Sequence, residues 1–317
     1  MKSKIFIVPI ICIQVVIVAA LFLQIQRKRS NILGVSVNTI DSKAVQKTPS
    51  GLKYFYEPKA NTTEEPQRDW LPYIAKYTIN SDTLNERFDY SVQKKPGVFR
   101  IITLDSSFTF GENVSTKDNW TEKLEDELNN HHICDKTKGY EVINLGVYGY
   151  DTQYEVERYK LRGKKYNPDL VIWMFTDYER ILEKMTPLVR QGDTPENREL
   201  EKKGIFDRNW QIAREDMMKK TGTKGLIDYQ SEQIKSLDAY YQGRLIFVTL
   251  PNRPEYIGLL KQRTNERSNS YFFQPAIEWG QPGLFLPDHH FNIAGNQKMM
   301  EEVVGYLVKG KLIPCSP

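Results

Sequence analysis

The chain has 317 residues, 40% of them hydrophobic and 12% aromatic, enough for one large domain with a buried core and too apolar for wholesale disorder. Its 44 Lys and Arg against 40 Asp and Glu leave a formal net charge of +4. The basic residues are scattered rather than gathered into a stripe, which excludes the electrostatic footprint of a nucleic-acid binder.

The chain opens on "IFIVPIICIQVVIVAALFLQIQ", Ile5 to Gln26, which carries no charge and is long enough to cross a hydrocarbon core of about 30 Å as a helix. The run exceeds the apolar region of a cleaved signal peptide, and no small-x-small site precedes Arg27. Residues 1–30 are therefore expected to form an uncleaved, single-pass membrane anchor. Lys2 and Lys4 flank one end and Arg27, Lys28 and Arg29 the other, so charge leaves the orientation open. From Ser30 to about Gln67 the sequence is rich in Ser, Thr, Lys, Asn and Pro, which reads as a tether or loosely packed lead-in. The expected division is 31–97 tether and lead-in, then a folded domain over 98–317.

Within that domain, "VFRIITL" (Val98 to Leu104), "YEVINL" (Tyr140 to Leu145), "DLVIWMF" (Asp169 to Phe175) and "RLIFVTL" (Arg244 to Leu250) are short, rich in β-branched residues and mostly apolar without alternation. Strands covered on both faces have that pattern. Helical patterns lie between them. Trp120, Leu124 and Leu128 recur every four residues, Thr152 with Glu155 resembles a capping box, and the last helix opens on Asn292 with Met299, Val303 and Leu307 on one face. Strands alternating with helices predict a three-layer α/β/α sandwich on a mainly parallel sheet. The stretch 179–242 is too long for one crossover helix and predicts a helical insertion over one end of the sheet. The "HHIC" run, His131 to Cys134, has no second ligand cluster at zinc-like spacing and reads as a solvated loop, so no metal or other cofactor is expected. Cys134 and Cys315 fit a disulfide or two free thiols equally.

In open parallel sheets chemistry gathers at the carboxyl ends of the strands. The residues there are Ser107 in "SSFTFG", Gly146 and Gly149 in "NLGVYGY", Asp177 in "TDYER" and, near the end of the chain, Asp288, His289 and His290 in "LPDHHFNIAGN". Each has an ordinary reading: Ser107 as a turn or helix-cap serine, the glycines as turn residues, Asp288 and Asn292 as caps, Asp177 with Arg180 as a surface pair. Their joint placement at successive strand ends argues for a site.

Taken together, these blocks resemble the SGNH/GDSL hydrolase family, in its membrane-tethered bacterial branch, over about Tyr77 to Lys309. The resemblance includes the lead-in "YTINSDTLNERFDYSVQKKPGVFRI". It implies a flavodoxin-like sandwich, a Ser-His-Asp triad and an oxyanion hole built from the backbone of the nucleophilic Ser, a Gly and an Asn. Matched position by position, "SFTFG" makes Ser107 the nucleophile, Gly146 fits the second block, and His290, followed by Phe291, Asn292 and Gly295, fits the last block with Asp288 as its orienting carboxylate. Adjacent His289 is the rival base, standing where the family often has Gly. The sequence departs from the pattern at Asp105 and Ser106, which read Gly and Asp in the family, and at Asp177, which stands at the Asn position and as an anion cannot donate to an oxyanion.

The implied chemistry is acyl transfer. An imidazole takes the serine proton, a carboxylate fixes the imidazole's tautomer, and backbone amides stabilise the oxyanion. The expected function is thus a membrane-anchored serine esterase or acetylesterase on the periplasmic or extracellular side, acting on an ester-bearing small molecule, a lipid or an acylated polysaccharide. An O-acyltransferase using the same triad and a catalytically silent domain that binds an envelope glycan or partner remain open alternatives.

Overall fold

The computed structural model describes residues 44–66, 70–130, 137–176, 179–191, 194, 208–250 and 253–314. The expected membrane span, His131 to Cys134, Asp177 and Cys315 lie outside the described residues. Among the described residues, no helix is long and apolar enough to cross a membrane.

Four short strands come first: β1 (Val45–Lys47), β2 (Tyr56–Pro58), β3 (Thr62–Glu64) and β4 (Tyr77–Ile79), paired as the antiparallel ribbons β1-β2 and β3-β4. The main sheet and its helices follow as β5 (Val98–Leu104), α1 (Ser107–Phe110), α2 (Trp120–Asn130), β6 (Gly139–Asn144), α3 (Thr152–Arg158), β7 (Leu170–Met174), α4 (Leu182–Gln191), α5 (Arg208–Ser236), β8 (Arg244–Val248), α6 (Pro254–Glu266), β9 (Ser270–Phe273) and α7 (Ile293–Lys309). The sheet order is β6-β5-β7-β8-β9, with every neighbouring pair parallel. This is the flavodoxin-like order, whose direction of winding reverses between β5 and β7.

The four apolar runs of the sequence are β5, β6, β7 and β8, each within a residue or two of its expected ends. Alternate residues feed opposite layers. Ile102, Leu104, Val171 and Trp173 pack under α3, α4, α5 and α6, while Phe99, Ile101, Leu170 and Ile172 pack under α2 and α7. Strands buried on both faces favour apolar residues at successive positions, which is why the runs show no regular polar alternation. Trp120, Leu124, Leu128, Met299, Val303 and Leu307 all lie in the α2/α7 layer, as their spacing predicts. The fifth strand, β9, gave no comparable signal: it is a four-residue edge strand whose side chains are all only half-buried.

Two local expectations are corrected and a third is made more specific. The cap of α3 is Asp151 rather than Thr152, its carboxylate accepting from Tyr154 N at 3.0 Å, and Glu155 instead accepts from Trp173 Nε1 at 2.6 Å. The described part of the insertion belongs to a face layer of the sheet. Its helices α4 and α5 contribute Met185, Val189, Ala213, Met217, Leu226 and Ile234 to one face layer, with α5 broken at Gly222 (φ 68°). The lead-in is no loose tether where it is described, because Phe55 and Tyr56 pack against Tyr150 and Tyr154. Glu57 within it is fully buried and paired with Arg158 and Arg162. A compositional window averages the short apolar "YFY" into its polar surroundings and so hides this packing.

Helix α2 and the lead-in together seal the open edge of the sheet. Along β6, Tyr140 N, Val142 N and Asn144 N donate to Asn129 Oδ1 (2.9 Å), Glu125 Oε2 (2.6 Å) and Glu86 Oε1 (2.5 Å). Three side chains thus replace the hydrogen bonds of a missing neighbour strand. Burial, reinforced by neighbouring Glu122, pushes the Glu86 carboxyl well above the usual carboxylate range.

Candidate active site

The crossover point between β5 and β7 receives the turn that follows β5. Leu104 ends the strand, Asp105 and Ser106 make the turn, and Ser107 is the first residue of α1, which closes on Gly111 in the left-handed region (φ 83°). From the far end of the chain, the segment before α7 returns to the same edge. Asn292 caps α7 by accepting from Gly295 N at 2.8 Å, and a tight turn binds Leu286 N to His290 O (2.7 Å) and His289 N to Leu286 O (2.9 Å). His289 holds φ 69° in that turn, the backbone region that favours glycine, and its side chain is exposed. The strained residue points away, and its neighbour His290 faces inward.

His290 Nε2 lies 2.8 Å from Ser107 Oγ, and Nδ1 lies 2.9 Å from Asp288 Oδ2. These residues are 183 positions apart at the extremes of the relay, yet they form a continuous hydroxyl-imidazole-carboxylate line. With Nδ1–H donating to Asp288, Nε2 is the acceptor that faces the serine hydroxyl. Burial raises the Asp288 pKa, but the hydrogen bonds and charge of His290 outweigh it and leave the carboxyl below its ordinary value. It therefore stays ionised at neutral pH.

Two residues beside this line carried no signal at the level of sequence. Asn113 Nδ2 donates to Asp288 Oδ2 at 2.6 Å, and Asn113 sits at φ 67°, a left-handed position that Asn tolerates better than most residues. Glu112 Oε2 lies 3.6 Å from His290 Nε2. The nearby Tyr73 hydroxyl is pushed up to about 12 by burial and by the charges of Asp118 and Asp288. On the other side of the imidazole the Phe108 ring packs at 5.3 Å, and Trp279, 43% exposed, packs on Phe108 at 5.5 Å.

The altered first block is accounted for at Asp105 and not at Ser106. Asp105 is fully buried, with Oδ1 accepting from Thr176 Oγ1 (2.6 Å) and Oδ2 from Thr109 N (3.3 Å), so both oxygens are engaged by threonines. Ser106 Oγ is buried without a hydrogen-bond partner, so nothing in its surroundings engages the hydroxyl.

Gly146 occupies a different place from the one expected of an oxyanion donor. Its N–H donates to Asn144 Oδ1 at 2.8 Å, and a Cβ there would fall 2.3 Å from Phe110 N. The glycine serves close backbone approach between its loop and α1, and its amide is already committed. Gly149, three residues on, holds φ 79°, and its N–H has no hydrogen-bond partner among the described residues. The Ser107 N–H is likewise unpaired among them.

No protein-family model matches the chain, and no curated protein does. Solved structures similar to it include one of TesA, at 14% identity over 66% of this chain and 97% of that one, with a TM-score of 0.42. A two-domain esterase active on acetylated mannans, co-crystallised with mannopentaose, is 13% identical over 69% of this chain and 51% of that one, with a TM-score of 0.45. A Clostridium thermocellum family 3 carbohydrate esterase is 13% identical over 67% of this chain and 96% of that one, with a TM-score of 0.40. The case for chemistry therefore rests on Ser107, His290 and Asp288 themselves.

Proposed function

We propose that this chain is a serine ester hydrolase of the SGNH type, with Ser107 as nucleophile, His290 as general base and then acid, and Asp288 as the carboxylate that orients it. The observation that carries the reading is the 2.8 and 2.9 Å line from Ser107 Oγ through His290 to Asp288 at the carboxyl edge of the sheet. His290 accepts the hydroxyl proton as Oγ attacks the ester carbonyl. The same proton then passes to the leaving alcohol, an acyl-enzyme remains on Ser107, and water releases the acid. The unpaired amides of Ser107 and Gly149 are the oxyanion donors of this reading, with Gly149 in place of Gly146. A tethered binding domain has no use for an imidazole held between a serine and a buried carboxylate, which favours the enzyme over the silent alternative.

The substrate class in this reading is an acylated envelope glycan or lipid, for which the exposed Trp279, packed on Phe108, offers a flat apolar surface one ring away from the imidazole. Membrane attachment through Ile5 to Gln26 belongs to the same proposal. The full-length protein should stay in the membrane fraction through a high-salt wash and leave with detergent, and release of intact protein by salt would contradict the anchor.

The central experiment is labelling of the full-length protein in detergent with a fluorophosphonate serine probe, followed by peptide mapping. The label is expected on Ser107; a folded protein that takes up no label would leave the binding domain as the better account. Asn113 supplies a further test, since Asn113→Gly keeps the left-handed backbone and removes only the donor to Asp288. Loss of a hydrogen bond to a charged group should lower kcat about tenfold with KM unchanged. An unaltered kcat would show that Asp288 needs no such support.

A further inference from the structure

Among the described residues, Glu112 is the carboxylate recorded on the Nε2 side of the imidazole, the side that also faces Ser107. Its side chain is only 12% exposed, and its Oε2 lies 3.6 Å from His290 Nε2. The backbone sets this position, because Glu112 N donates to Ser107 O at 3.0 Å immediately after the turn at Gly111. Among the described residues the carboxylate accepts no hydrogen bond, and the imidazole is the cationic partner recorded beside it. A buried carboxylate without donors is costly unless a ligand or water supplies them. The carboxylate and the Ser107 hydroxyl both lie against Nε2, at 3.6 and 2.8 Å, so a nucleophile that gives its proton to Nε2 passes close to Glu112.

We propose, resting on the hydrolase reading above, that Glu112 is a catalytic residue that holds the deacylating nucleophile and makes the site select water or a vicinal diol over a simple alcohol. A water oxygen about 2.8 Å from both Nε2 and Oε2 fits across their 3.6 Å separation. One water hydrogen points to Nε2 and the other to Glu112. As the water oxygen bonds to the acyl carbon, Nε2 takes the first proton, while the second O–H stays bonded to oxygen and donates to Glu112. The tetrahedral intermediate then collapses, the bond from carbon to Ser107 Oγ breaks, and Oγ recovers the proton from Nε2. The products are the free acid and the regenerated serine, and Glu112 itself takes up no proton. A monohydric alcohol spends its only hydroxyl hydrogen on Nε2 and leaves Glu112 facing carbon. A vicinal diol, such as a sugar ring presents, keeps a second hydroxyl to give.

The experiment uses full-length protein in detergent with p-nitrophenyl acetate, whose leaving group offers Glu112 no donor, and follows acetyl-Ser107 by intact mass. Glu112→Gln keeps the volume and removes the charge that makes the acceptor strong. Acylation should stay within about threefold of wild type, while decay of the acetyl-enzyme slows about tenfold or more. Glu112→Asp should recover part of that rate. In the wild type, ethylene glycol should capture the acetyl group in preference to ethanol, and the preference should collapse in Glu112→Gln. Unchanged decay with the glycol preference intact would overturn the role of Glu112, as would equal slowing of both half-reactions. A wild type that never forms acetyl-Ser107 would instead overturn the hydrolase reading itself, and this inference with it.

Discussion

Ser107→Ala should abolish fluorophosphonate labelling and lower the hydrolysis of a small acetyl ester by at least about a thousandfold, because the variant keeps the binding surface and loses the only atom that can form the acyl-enzyme. His290→Ala should cost about as much, since an unassisted serine hydroxyl is a poor nucleophile. The double variant should be scarcely worse than either single one. Residues that act as one unit lose their whole effect with the first removal, so additive losses would indicate that the 2.8 Å contact between them is incidental to the chemistry. Ser106→Ala is the matched control, because Ser106 Oγ makes no hydrogen bond and its loss should leave most of the rate. Retention of full activity by folded Ser107→Ala would place the nucleophile elsewhere.

Glu57→Gln should destabilise the domain by about 3–5 kcal/mol, the usual cost of breaking a buried ion pair from one side. Glu57 is fully buried and accepts from Arg158, from Arg162 Nη2 at 2.6 Å and from Thr48 Oγ1 at 2.6 Å, while Arg158 is itself fully buried. The neutral amide would leave that guanidinium without its counter-charge. At about 2–4 °C per kcal/mol for a domain of this size, the melting temperature should fall by roughly 10 °C. A shift of a degree or two in calorimetry would show that water or Thr83 compensates Arg158 unaided. Burial pushes the Glu57 pKa up, but Arg158 and Arg162 outweigh it and hold the carboxyl at about 2. A folded pKa below the unfolded one means that this stabilisation is fully present above about pH 4.5. It is lost as pH falls from there through about 2, and over that range the wild type should lose about 3 kcal/mol that Glu57→Gln never had.

The parallel sheet was legible because its strands are covered on both faces, and that burial writes a mostly apolar run without alternation into a few consecutive residues. The helix faces of α2 and α7 were legible for the same reason at a different period. Ser107, Asp288 and His290 could be named because each stands at a fixed offset from a strand end or helix cap. Spacing placed Gly146 at this edge but could not tell whether its amide is free, and the structure shows it bonded to Asn144.

Local sequence therefore determined which segments form the sheet, which helix faces are apolar and which side chains can reach its carboxyl edge, since these follow from periodicities of two to four residues. Tertiary structure alone decided that "KYFYEP" is core and not tether, because Glu57 finds Arg158 about a hundred positions away. It also decided that His290 rather than His289 faces Ser107, which depends on one left-handed residue in a turn, and that Glu112 and Asn113 border the imidazole. Such pairings join chain positions far apart in sequence, and no short-range pattern records a contact that exists only after the sheet has brought both ends of the domain to one edge.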